Sequence, residues 1–187
     1  MKRMKVIISV ILLLVNSLLF AQTKLDTLVF NKVNEYRVSL GLCSLKWDTI
    51  AYKAAYHHSV YLDRVNTNLD SIYIMGHSED SAIFNSPSDR YRYYGGRVCG
   101  VSECALLNQF GVRDDDSLAL DKIAQSMVDV WKKSKKHNDI MIKPTLTSGA
   151  ISCFGNRVSR CQFQGRRIHS YFATFVFLSP MVVTIKN

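Results

Sequence analysis

Residues 27–58, TLVFNKVNEYRVSLGLCSLKWDTIAYKAAYHH, carry the pattern that decides the fold. Apolar side chains recur at helical spacing from Leu28 to Leu40, and Gly41 follows where a helix would end. Asp48 is a favourable N-cap for a second helix, whose apolar face continues to about residue 62. The stretch therefore predicts helices over 27–40 and 49–63, joined by a short connector.

The later sequence adds one long helix and two strands. Trp131 lies in the apolar seam of that helix, and the second strand is strongly aromatic and β-branched. These elements are, in chain order, irregular loops over 66–96 with a short helix over 87–94, a helix over 118–135, strands over 148–154 and 168–178, and a turn region over 156–165. Helices followed by late strands predict an α+β domain.

The N-terminus resembles a targeting signal rather than part of the folded domain. Lys2, Arg3 and Lys5 precede an almost wholly apolar run over 6–20, and Ala21 follows as a small residue. This order is typical of a secretory signal. An uncleaved anchor is the alternative, but the run is shorter than the roughly 20 residues of a membrane span. We expect a signal peptide over 1–21, a single domain over 22–187, no stable membrane span after cleavage, and a secreted or periplasmic protein.

The charge balance is moderately basic. The chain has a formal net charge of +9, and the predicted signal carries three of the positive charges and no negative one. Two basic clusters occur over 132–136 and 157–167, where the simplest interpretation is a solvated face. No nucleic-acid-binding motif accompanies them, so we expect no nucleic-acid partner.

The sequence contains five cysteines, an odd number for an exported chain. The pairs closest in sequence are Cys99 with Cys104 and Cys153 with Cys161, which leaves Cys43 unpaired. Oxidising conditions make disulfides plausible, but several connectivities remain possible. The spacings do not match the short knuckles of a zinc ribbon.

Common catalytic motifs do not occur. The sequence has no G-x-S-x-G elbow, no H-E-x-x-H zinc motif, and no Walker or dinucleotide fingerprint. His77-Ser78-Glu79 matches the H-x-E of zinc deaminases, but the P-C-x-x-C that should follow is missing.

A series of short segments resembles the CAP superfamily, which includes cysteine-rich secretory proteins, antigens, pathogenesis-related proteins and bacterial SCP-like exported proteins. The segments are Asn34 to Arg37 as N-x-x-R, Leu45-Lys46-Trp47, Gly76-His77-Ser78, Ser86 to Arg90 as S-P-x-D-R, Trp131 to His137 as W-x-x-S-x-x-H, Pro144, Gly149, and residues 173–177. The family's G-E-N occurs here only as Ser102-Glu103-Cys104. His169 does not match the late histidine of the eukaryotic members.

The resemblance implies a three-layer α-β-α sandwich with a histidine and glutamate cavity formed by His77, Glu103 and His137. Divalent metals bind in this cavity in some members, so His77 and His137 are the candidate metal ligands, with Zn²⁺ as the candidate cofactor. Glu79 is a possible substitute carboxylate. Because His58 falls on the apolar face of its helix, we expect it to be a core histidine with satisfied nitrogens.

Three functions remain open. The first is an exported CAP-domain binding or effector module that takes an apolar or glycan-like ligand, with the lipid, glycan or protein itself unknown. The second is a metal-dependent hydrolase that acts on envelope or host polymers. The third is a protein-interaction module with a vestigial cavity. We favour the first over an enzyme, because CAP domains are mostly binding modules and no catalytic residue is identified.

Overall fold

The protein is described by a computed structural model that covers residues 22–66, 74–97, 100–112, 119–163 and 166–180, with the backbone alone over 156–163. The elements are α1 (Lys24–Ser39), β1 (Lys46–Trp47), α2 (Thr49–Val65), α3 (Pro87–Tyr93), β2 (Gly100–Val112), α4 (Ala119–Lys133), α5 (Lys135–Met141), β3 (Ser148–Phe163) and β4 (Arg166–Ser179). The predicted signal peptide over 1–21 lies outside the described residues.

Four strands form one sheet in the order β1-β3-β4-β2. β4 pairs antiparallel with both β2 and β3, and β1 pairs parallel with β3. The central strand β4 is buried throughout residues 170–178 because helices cover both faces of the sheet. Gly149 permits close strand packing, since a Cβ there would lie 2.5 Å from the carbonyl oxygen of Val176.

Helices α1, α4 and α5 cover one face of the sheet, and α2 and α3 cover the other. Large apolar side chains such as Trp131 and Phe175 fill the first side. Small alanines of α2, with Tyr91 of α3, pack against the second. This arrangement confirms the α+β class and the three-layer α-β-α sandwich.

The N-x-x-R segment fixes the end of α1. Asn34 accepts a hydrogen bond from the Leu45 amide at 2.7 Å and donates to its carbonyl oxygen at 3.2 Å. The buried Arg37 guanidinium donates to the carbonyl oxygens of Cys43, Met141 and Lys143. These contacts join the loop after α1 to the end of α5.

Some sequence-based predictions of secondary structure were wrong. The turn region over 156–165 is mostly strand, since β3 runs to Phe163 and β4 begins at Arg166. Strand β2 was not predicted. The third long helix stops at Lys133, and Ser134 is the N-cap of a separate helix. The short helix near 87–94 is present, because Ser86 and Asp89 form a capping box and Pro87 occupies its first turn.

Neither predicted disulfide forms, because Cys104 and Cys153 are both buried free thiols. Cys99 and the side chain of Cys161 lie outside the described residues. The backbone explains the result for the second pair. A strand extends about 3.3 Å per residue, so positions 153 and 161 within β3 lie farther apart than the roughly 7 Å that a disulfide spans. Cys43 is also a free thiol and is exposed.

Candidate functional site

Ionisable side chains gather on the α2 and α3 side of the sheet. Helix α2 supplies His57 and His58, α3 supplies Arg90, and the edge strand β2 supplies Glu103. The loop between α2 and α3 supplies the remaining members, His77 and Glu79. Because alternate residues of a strand face opposite sides, Glu103 points into this cluster while Cys104 faces the apolar core.

Arg90 is the centre of the cluster and is fully buried. Its guanidinium lies 2.8 Å from Oε2 of Glu103 and 3.3 Å from Oε1 of Glu79. It also donates to the carbonyl oxygens of Phe84 and His77, at 2.9 and 3.1 Å. One cation therefore pairs two carboxylates and holds the backbone of the loop that carries His77.

His58 is the second buried cation of the cluster. Its Nδ1 lies 2.9 Å from Oε1 of Glu79, and its Nε2 lies 2.8 Å from the carbonyl oxygen of Gly76. Both partners accept hydrogen bonds, so both ring nitrogens must donate, which only the doubly protonated imidazole can do. The prediction that His58 is a core histidine with satisfied nitrogens agrees with these contacts. Its neighbours, however, are charged rather than apolar.

The two carboxylates are held ionised. Burial alone raises the pKa of Glu79, but hydrogen bonds from His57 and His58 and the charge of Arg90 outweigh it and lower that pKa to about 2. Burial likewise raises the pKa of Glu103, but the hydrogen bond from His77 and the charges of His58 and Arg90 bring it below its ordinary value. Two anions and two cations therefore balance in the buried interior.

His77 lies at the surface of this buried cluster, with 48% of its side chain exposed. Its Nδ1 lies 2.9 Å from Oε1 of Glu103, and an ionised carboxylate accepts, so Nδ1 carries the proton. Nε2 of His77 therefore keeps its lone pair in the neutral ring. A carboxylate behind an imidazole in this way orients metal-binding histidines in many proteins.

His137 approaches from the other side of β2, within α5 rather than beyond the end of the preceding helix. The thiol of Cys104 lies 3.8 Å from the carbonyl oxygen of His137, and Cys104 directly follows Glu103 on β2. Burial, the neighbouring His77 and the charge of Lys136 lower the pKa of His137 and so favour the neutral ring. Nδ1 of His137 is buried and has no hydrogen-bond partner among the described residues.

The model of the family described as "CAP: Cysteine-rich secretory protein family" matches residues 30–177. The chain belongs to the CAP family. A search of curated proteins gives no match.

Two solved structures share the CAP fold with this chain. One is an extracellular protein containing an SCP domain from Bacillus anthracis strain Ames, with 15% identity and a TM-score of 0.58. The match covers 83% of this chain but 40% of that protein, so this CAP chain spans less than half its length. The other is an outer surface protein of Borrelia burgdorferi, with 15% identity, a TM-score of 0.52, and coverage of 86% of this chain and 97% of that one.

The CAP resemblance named His77, Glu103 and His137. The structure joins His77 and Glu103 by a hydrogen bond, and His77 is close enough to His137 to lower the pKa of His137. Sequence reasoning missed Arg90 as part of this site. Arg90 is the last residue of the S-P-x-D-R segment, for which no functional role was predicted. Glu79 is in the cluster, but both of its oxygens face other side chains of the cluster.

Of the three residues that the CAP resemblance named, His77 and His137 are the ones that could hold a divalent cation. Both oxygens of Glu103 are engaged, by His77 and by Arg90, so Glu103 acts behind His77 in this arrangement. Within the described part of the chain, no group of three or more His, Cys, Asp or Glu side chains is arranged to hold a metal ion. Among the described helices, none is both long and apolar enough to span a membrane.

Proposed function

We propose that this CAP-family chain is an exported binding module whose histidine pair, His77 and His137, holds a divalent cation, with Zn²⁺ as the first candidate. The observation that carries the proposal is the buried Nδ1 of His137, which has no hydrogen-bond partner in the described part of the chain, beside a His77 ring that Glu103 orients. Two neutral imidazoles with available lone pairs suit Zn²⁺.

The buried cluster supports binding more directly than turnover. Its cations hold the backbone on both sides of the His77 α-carbon, through the carbonyl oxygens of Gly76 and His77. With two protein ligands, the bound ion would present its remaining coordination positions to water or to a ligand group. The chain's own contribution is to hold the His77 ring in place, with the proton of its neutral form on Nδ1 and the lone pair on Nε2.

Export is supported by the basic and apolar order of residues 1–21. The two similar solved structures are described as an extracellular protein and an outer surface protein, which agrees with that location. The external ligand is proposed by class alone, as an apolar or glycan-like molecule.

Calorimetric titration of the purified protein with Zn²⁺ tests the proposal. We expect saturable binding that weakens at least tenfold in His77→Ala and in His137→Ala, because each removes one ligand. His169→Ala is the matched control, since it removes a histidine that lies on β4 and outside the cluster. Zn²⁺ binding that neither cavity substitution changes, or no binding at all, would overturn the cation site.

Glu103→Gln separates a supporting role from a ligand role. The amide keeps the size of the side chain but loses its charge, so we expect Zn²⁺ affinity to fall by about tenfold rather than vanish. An affinity equal to that of the parent would contradict the proposed orientation of His77 by Glu103. Circular dichroism of each variant confirms that it is folded.

A further inference from the structure

We propose that the outer side of α2 forms a second binding site, for an acidic sugar unit of a polysaccharide. The site is a surface groove of about 210 Å³. Its lining residues are Tyr56, His57, Val60, Tyr61, Arg64 and Tyr94. It is separate from the His77 and His137 pair, and it does not depend on whether that pair binds a cation.

The groove breaks the usual pattern of a surface helix. Positions 56, 60 and 64 of α2 lie one turn apart on one side, as do 57 and 61. The solvent side of such a helix is ordinarily polar. Here that side carries two tyrosines and a valine, all of them half-buried, so the surface is apolar without another element of the described chain covering it. Such a surface suggests a ligand.

Packing holds the aromatic rings of the groove in place. Tyr56 meets Phe154 edge-on with centroids 5.5 Å apart, and Tyr61 stacks on His58 with an interplanar angle of 13°. His57 lies 4.1 Å from the ring of Phe84, and its Nδ1 is 2.9 Å from the Tyr94 hydroxyl. Rings that are fixed before binding lose little conformational entropy when a ligand arrives.

The charge of the groove selects an anion. Arg64 is exposed, and its guanidinium lies 6.0 Å from the centre of the Tyr61 ring. None of the six described lining residues is acidic. A guanidinium pairs with a carboxylate through two parallel hydrogen bonds. The apolar face of a sugar ring packs flat on tyrosine, so a uronic acid places its ring on Tyr61 and its carboxylate on Arg64.

The size of the groove argues for one or two sugar rings rather than a lipid. About 210 Å³ is below the range of roughly 300–1,000 Å³ that encloses larger ligands. An acyl chain would need a longer apolar channel. A short saccharide segment needs an aromatic surface with a polar group at its rim, which Arg64 supplies.

The test is a titration with trigalacturonate in the presence of EDTA, which keeps the cation site empty. The fully methyl-esterified trisaccharide is the matched ligand, because it keeps the sugar rings and loses the charges. We expect saturable binding of trigalacturonate and about tenfold weaker binding of the ester, since one charge-assisted contact is lost. Arg64→Gln should bind both ligands with the weaker affinity.

Two further variants complete the experiment. Lys143→Gln removes the same charge from an exposed position outside the groove and should bind like the parent. Tyr61→Leu keeps an apolar side chain but removes the flat ring, and it should weaken both ligands.

Four results would overturn the proposal. They are no saturable binding of trigalacturonate, equal affinity for the acid and the ester, an Arg64→Gln protein that binds like the parent, and binding of phosphatidylglycerol vesicles that needs Arg64 while trigalacturonate does not bind. The last result would assign the groove to a membrane surface.

Discussion

Strand β2 places Glu103 and Cys104 side by side in the sequence and on opposite faces of the sheet. Cys104 faces a core of large apolar side chains that includes Trp131 and Phe175. Glu103 faces a buried cluster in which Arg90 and His58 balance two carboxylates. At β2, the two sides of the sheet therefore exclude water in different ways: the Cys104 side by apolar packing, and the Glu103 side, here called the charged face, by pairing charges.

The difference matters because buried ion pairs are a costly way to stabilise a fold. Removing charges from water carries a penalty that their mutual attraction often only offsets, and apolar residues of similar volume would serve stability as well. The charged face is better explained by what it holds, since both of its cations bind the backbone around His77. The apolar face therefore contributes chiefly to stability, and the charged face chiefly positions the backbone around His77.

The largest expected effect comes from removing the central cation. Arg90→Met leaves Glu79 and Glu103 buried without their shared partner, and we expect the free energy of unfolding to fall by about 3–5 kcal/mol. Urea denaturation measures this loss. On the apolar face, Met127→Ala should lose about 2–5 kcal/mol through its cavity. An Arg90→Met protein as stable as the parent would contradict the role of Arg90.

Acid should loosen the charged face. The pKa of Glu79 is lowered from 4.5 in the unfolded chain to about 2 in the folded protein. Its contribution to stability is thus complete above about pH 4.5 and is lost as the pH falls towards 2, by a few kcal/mol in total. Denaturation midpoints across this range measure the loss. Glu79→Gln should flatten the pH dependence, and an unchanged slope would argue against the pairing.

Positioning can be separated from stability. His58→Gln cannot donate to both Glu79 and the Gly76 carbonyl from the same place, so we expect the His77 loop to lose one anchor and Zn²⁺ affinity to fall by about tenfold. Met127→Ala is the control, because it destabilises the opposite face and should leave Zn²⁺ affinity unchanged. Equal effects of the two variants on Zn²⁺ affinity would remove the distinction between the faces.

The cysteines give the smallest effect. Burial raises the pKa of the Cys104 and Cys153 thiols, so neither should react with a thiol reagent in the folded protein, whereas the exposed Cys43 should react. Cys43→Ser should change the free energy of unfolding by less than about 0.5 kcal/mol. Mass spectrometry after alkylation counts the reactive thiols. Rapid modification of Cys104 would contradict its place in the core.

The sequence predicted the fold where local signals were strong. Gly41 and the Asp48 cap mark the boundary between α1 and α2, and the late aromatic strand appears as β4. Strand β2 was missed because its sequence does not alternate regularly between polar and apolar residues, and only its pairing with β4 makes it a strand. The turn predicted over 156–165 was wrong because the basic and polar residues of that segment pair with β4 and so continue β3.

The site was predicted only in part. The resemblance to the CAP family indicated His77, Glu103 and His137 as site residues. Sequence spacing, however, cannot show that His77 and Glu103, which lie 26 positions apart, share a hydrogen bond. The charge state of His58 was not predictable, because it depends on Glu79 and on the Gly76 carbonyl meeting opposite sides of one ring. Tertiary pairing decides both features.

Long-range ¹H–¹⁵N NMR of the imidazole nitrogens, recorded before and after addition of Zn²⁺, tests the central claim most directly. We predict two protonated nitrogens on His58, a proton on Nδ1 of His77 in its neutral form, and Zn²⁺-induced shifts of Nε2 of His77 together with a nitrogen of His137. His58 should keep both protons. An unprotonated nitrogen on His58, a proton on Nε2 of neutral His77, or shifts that spare His137 would contradict the account.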